Sequence, residues 1–88
     1  MYKIKDGFIV RKIGNQFMAV PVGGRTSEFH GIIALSESGV LLWSQLENGA
    51  DEQALADILT ENYDVERSVA EKDVKAFLDG LQKQGVLQ

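Results

Sequence analysis

The run EFHGIIALSESGVLLW, from Glu28 to Trp43, changes its apolar period halfway along. Its first half is a short apolar stretch over 29–35 with β-branched Ile32 and Ile33 at the centre, the composition of a strand. Ser36 then offers a helix N-cap, and Glu37 stands near the positive end of the helix dipole. Leu42, Trp43 and Leu46 follow at helical spacing. Segments before this run read as strands and segments after it as helices, so it is the joint of the fold and its expected working edge.

The 88 residues suit one small domain over 1–88, with the sheet in 1–35 and the helices in 36–88, and an apolar fraction of 44% is enough for a core. With no cysteine, neither a disulfide framework nor a thiolate metal site can form. Residues 1–6 lack the apolar core of a signal peptide and no apolar run could span a bilayer, so a cytoplasmic protein without membrane contact is expected. The net charge of −4 is unevenly spread. Residues 1–35 carry five basic and two acidic side chains, residues 36–88 four basic and eleven acidic. The helical half would repel a phosphate backbone, and the strand half would weakly attract an acidic partner.

Two strands are expected at 8–13 and 16–22, joined as a tight hairpin by Gly14-Asn15. Pairing Ile13 with Gln16 puts Ile9, Ile13, Met18, Val20 and Val22 on one face, and Phe8, Val10, Phe17 and Ala19 on the other. The first set is favoured as the buried one. Pro21 should sit near a strand end or edge, since it cannot donate to a ladder. The Gly-Gly-Arg-Thr-Ser segment at 23–27 reads as a hairpin connection, because no Gly-Lys-Ser/Thr continuation makes it a phosphate loop. A third strand over 29–34 has apolar residues on both faces. Such a strand is either buried twice or waiting for something to cover it.

Asn48-Gly49 ends the first helix, and Asp51 caps the second, whose stripe is Leu55, Ile58 and Leu59. Ser68 and Glu71 fit a capping box for the third helix, which carries Val74, Phe77, Leu78 and Leu81 and stops at Gly85. The order is βββααα, an α+β fold of a three-stranded antiparallel sheet followed by three helices.

Catalytic chemistry finds little support. His30 stands alone, with no second His or Cys to share a metal, and a packing or surface role is the simpler reading. The acids Asp51, Glu52, Asp57, Glu61, Asp64 and Glu66 read as caps and a solvated face. A winged-helix DNA binder needs basic and amide side chains on its third helix, yet Lys72, Lys75 and Lys83 are opposed there by Glu71, Asp73 and Asp79. Two glycines fall inside helices at a cost of about 1 kcal/mol each relative to Ala. Gly39 reads as close packing; Gly80 reads equally as close packing or as room for a bound chain.

Taken in order, FIVRKIG at 8–14, AVP at 19–21, FHGII at 29–33, LSESG at 35–39, LW at 42–43, YDV at 63–65, DV at 73–74, FL at 77–78, Leu81 and GVL at 85–87 form a recognisable set. In that order and spacing they resemble the PqqD family, and the resemblance covers almost the whole chain. It implies a winged helix-turn-helix-like domain, without cofactor or catalytic activity, that recognises peptides in the making of ribosomal, post-translationally modified products. Such a chaperone holds the leader of a precursor peptide and presents it to a modifying enzyme, often a radical SAM enzyme. The leader lies as an added strand on the third strand, in the cleft against the third helix.

Physical reasoning points to the same place. An open edge strand exposes unpaired N–H and C=O groups, and a peptide added there gains ladder bonds and reads alternate side chains. The expected binding residues are Phe29, His30, Gly31, Ile32, Ile33 and Ala34, with Ile32 or Ile33 lining the cleft. The third helix adds Asp73, Ala76, Phe77 and Gly80, with Val74 and Leu81 at the floor. Asp73 reads equally as a solvated charge. The competing readings are a structural domain whose third strand pairs with a second copy, forming a homodimer, and a DNA-binding winged helix.

Overall fold

The computed structural model describes residues 1–27 and 31–88. Strands β1 (Phe8–Ile13) and β2 (Gln16–Pro21) form the expected hairpin, with Ile13 opposite Gln16 and Phe8 opposite Pro21. Gly14 takes φ +62 while no described non-glycine residue has a positive φ, so the glycine leads the turn as in type II′. A 3-10 turn, Gly23–Ser27, follows, and in it Arg25 donates from Nε to the Asp6 carbonyl at 2.8 Å.

Strand β3 (Ile33–Leu35) pairs antiparallel with β2, and the sheet order is β1-β2-β3. It is half the expected length. Phe29 and His30 lie outside the described residues, and Gly31 and Ile32 lie ahead of the strand. The register explains where pairing starts. Ala19 faces Ile33, so continuing the ladder would set Pro21, which has no N–H, opposite Gly31.

The buried face of the hairpin is the opposite of the favoured one. Phe8 and Ala19 are buried with Ile33 and Leu35, and Val10 and Phe17 pack against them, whereas Ile13 and Val22 are exposed. Ring area decides the face: two phenylalanines, Phe8 and Phe17, stand on the inner side, and an aromatic ring can bury roughly 150–250 Å². Arg11 shares the face of Ile9 and Ile13, and solvent accommodates its charge without cost. Phe8 meets Trp43 edge-to-face at 5.9 Å. The Trp43 ring is fully buried and its indole N–H has no hydrogen-bond partner among the described residues, so packing holds it.

Helices α1 (Glu37–Asn48), α2 (Glu52–Asn62) and α3 (Arg67–Lys83) complete the chain. Ser36 caps α1 by accepting the Gly39 N–H at 3.1 Å, Asp51 caps α2 by accepting the Ala54 N–H at 2.8 Å, and Gly49 ends α1 at φ +97. The third cap departs from expectation. Glu66 holds the N-cap position of α3 without a side-chain bond, and Ser68 lies within the helix. Glu71 accepts from Arg67 Nε at 3.2 Å, and Arg67 also binds Asp57 of α2, which ties α3 to its neighbour. The buried stripe of α3 is Ala70, Val74, Leu78 and Leu81.

Residues 1–5 give no periodic signal, yet they close the molecule. Tyr2 exchanges two backbone hydrogen bonds with Ala50, at 2.8 and 2.9 Å. Ile4 donates to Leu46, Lys5 to Val86, and Gln88 back to Lys3. Ile4 and Val86 are both buried in the common core. The division into a sheet half and a helical half is therefore crossed by the chain's own first residues.

Candidate functional site

Where β3 turns into α1, three elements converge. A Cβ built on Gly39 would stand 3.6 Å from Leu35 Cβ, 3.3 Å from Ser36 Oγ and 3.4 Å from Phe77 Cε1, so α3 approaches the first turn of α1 across a glycine. Beside this contact opens a groove of about 370 Å³ lined by Ser36, Ser38, Gly39, Leu42, Leu59, Asp73, Ala76 and Phe77. A second lobe of about 200 Å³ adds Tyr63 and Val65 and shares Ser38, Leu59 and Asp73 with the first. The walls are apolar or hydroxyl-bearing except at Asp73.

Among the described residues, nothing pairs with the outer edge of β3, so its main chain is open beside the groove. Ile33 points its side chain into the core and offers only backbone there, while Ala34 and Ile32 are exposed. Neither Ile32 nor Ile33 lines the groove. On α3, Asp73, Ala76 and Phe77 come together on one flank. Val74 and Leu81 are buried beneath it as core. Gly80 continues the same flank, and a Cβ there would meet nothing within 4 Å, so that stretch of helix surface is open. Phe29 and His30 lie outside the described residues.

Leu42, Leu59, Tyr63, Val65 and the serines of the α1 first turn were not anticipated as lining residues. The stripes marked Leu42 and Leu59 only as core. Tyr63 and Val65 belong to the quoted YDV run, but no spacing rule links the end of one helix to the flank of another.

A larger hollow of about 510 Å³ opens on the other flank of α3, lined by Glu52, Gln53, Ser68, Glu71, Lys72 and Lys75. Its walls are solvated charges without an apolar floor, so size alone does not make it the better site. Nearby, the hydrogen bond to Asp57 raises the pKa of Arg67, helped by Glu71, and the hydrogen bond to Glu52 raises that of Tyr2. No group of three or more metal-ligating side chains occurs among the described residues. No described helix is long and apolar enough to cross a membrane.

The arrangement defines an α+β domain whose three-stranded sheet ends in an open edge beside a helix-lined groove. The chain belongs to the PqqD family, described as Coenzyme PQQ synthesis protein D, whose family model matches residues 17–87. Solved structures share the fold. TbiB1 in complex with the TbiA(beta) leader peptide has a TM-score of 0.75 at 24% identity, covering 98% of this chain and 94% of that one. Lasso peptide synthetase B1 complexed with the leader peptide has a TM-score of 0.75 at 23% identity, covering 99% and 96%. Among curated proteins no match is found.

Proposed function

We propose that residues 1–88 form a single, non-catalytic peptide-binding domain. It takes the leader of a ribosomally made precursor as an added strand on β3 and presents it to a modifying enzyme such as a radical SAM enzyme. The observation that carries this reading is the open main-chain edge of β3 running into the two-lobed groove. Membership of the PqqD family supports it, as do two structural neighbours that hold leader peptides.

The main chain of Gly31, Ile32, Ile33 and Ala34, continued by Phe29 and His30, would supply the ladder. Asp73, Ala76, Phe77 and Gly80 would face the bound chain, with Val74 and Leu81 holding α3 in place behind them. So short a strand makes few ladder bonds, each about 0.5–1.5 kcal/mol net. Ordering a disordered leader costs roughly 2–5 kcal/mol, so the bonds nearly cancel against it. Affinity must then come from apolar side chains entering the groove, at about 1.5–3 kcal/mol for each one fully buried.

The test is an NMR titration with a synthetic candidate leader peptide. Amide shifts confined to 31–35, the first turn of α1 and the Asp73–Gly80 flank are expected. Saturating leader that leaves those amides unmoved would sink the proposal. Concentration-dependent shifts along β3 without any leader would favour pairing with a second copy instead.

A further inference from the structure

Asp73 is the one charged side chain among the described residues lining either lobe of the groove, and it belongs to both. Among the described residues it also has no ion-pair partner, although its neighbours do: Glu71 is held by Arg67, and Asp79 by Lys83 at 3.1 Å. The nearest bases along α3, Lys72 and Lys75, line the hollow on the opposite flank. No described Lys or Arg lines either lobe. A lone carboxylate between apolar walls is poorly placed for binding an apolar chain alone, because covering it would strip its water without returning a partner. Asp73 is itself exposed at the rim of the groove, where an ammonium or guanidinium arriving with the peptide gains a charge-assisted hydrogen bond with the carboxylate as the chain covers it.

We propose that Asp73 sets the specificity of the groove by selecting peptides with a Lys or Arg between apolar residues, the apolar side chains filling the two lobes and the cation resting on the carboxylate between them. This rests on the peptide-binding reading and sharpens it to a substrate class: basic, amphipathic extended segments. The first turn of α1 offers a purely structural alternative. A carboxylate beside Ser36 and Ser38 could serve only to complement the positive helix end. That role would affect stability and leave peptide selection untouched.

A displayed library of random twelve-residue peptides, selected on the wild-type protein and on the Asp73→Asn, Asp73→Glu and Asp73→Lys variants, tests it. Wild type and Asp73→Glu should enrich peptides with Lys or Arg flanked by apolar residues. Asp73→Asn should lose the basic preference, and Asp73→Lys should favour Asp or Glu at that place. For a synthetic peptide from the wild-type pool, Asp73→Asn should weaken binding about tenfold, with unchanged affinity for the same peptide carrying Gln in place of its Lys or Arg. Apolar peptides enriched equally by all four proteins, or a melting change in Asp73→Asn with no change in selection, would overturn the specificity role alone. Enrichment of nothing by any of the four would overturn the peptide-binding reading and this inference with it.

Discussion

The Phe77 ring lies against the backbone of Gly39: a methyl added at Gly39 would sit 3.4 Å from Phe77 Cε1, just inside comfortable contact. Ser36 Oγ, the capping oxygen, would be closer still at 3.3 Å, and the half-buried Phe77 ring has room to yield toward the groove. Gly39→Ala should therefore fold with a stability change within about 1 kcal/mol, helix propensity offsetting the crowding. The added methyl, and any yielding of the ring, should narrow the groove and weaken peptide binding. Thermal melts and a peptide titration on one sample check both halves.

Gly80 is the converse case. Nothing within 4 Å would meet a Cβ there, so Gly80→Ala should gain the full propensity difference of about 1 kcal/mol. For a domain of this size that raises Tm by roughly 4–8 °C. Peptide affinity should fall, because the added methyl occupies the flank along which the chain is proposed to lie. A more stable variant with unchanged affinity would move the peptide off that stretch of α3.

The first turn of α3 has an open position. Glu66 makes no side-chain cap bond, while Ser36 and Asp51 do so for the other helices. Glu66→Asp shortens the side chain to the length that reaches the helix N–H groups, and should add about 0.5–1 kcal/mol. Chemical denaturation with an unchanged m-value would register it.

Tyr2 tethers the first residues by donating from its hydroxyl to Glu52 at 3.2 Å, and this bond is the main reason its pKa is raised. The folded state then holds the phenolic proton more tightly than the unfolded chain. The resulting stabilisation is present below the ordinary phenol pKa of ~10 and disappears as pH rises through the higher folded value. Ultraviolet titration should show Tyr2 ionising late, and Glu52→Gln should bring it back toward the ordinary range. A titration curve indifferent to Glu52 would show that the tether is not made in solution.

Helices α1 and α2 were legible in residue spacing because their caps and stripes are local: Ser36, Asp51, Trp43 and Leu59 needed no knowledge of what lay across from them. The missed features all depend on distant partners. The start of β3 depends on Pro21 standing opposite Gly31. The buried hairpin face depends on ring area meeting Trp43. The α3 start at Arg67 depends on Asp57 of another helix. In the groove, Asp73, Ala76 and Phe77 share a flank by helical arithmetic alone, whereas Tyr63 and Val65 join them only once α2 has packed on α3.

The backbone bonds among Lys3, Lys5, Val86 and Gln88 carry a mechanical consequence. Both ends of the chain leave from one corner, at the far end of α1 from the groove. Twelve residues of helix, about 18 Å, separate that corner from the α1 first turn. Anything joined to either terminus would pull on the same neck, and opposed forces on the two ends would unzip this antiparallel pairing one hydrogen bond at a time. Attachment at that corner would thus leave the proposed peptide surface at a distance from the anchor.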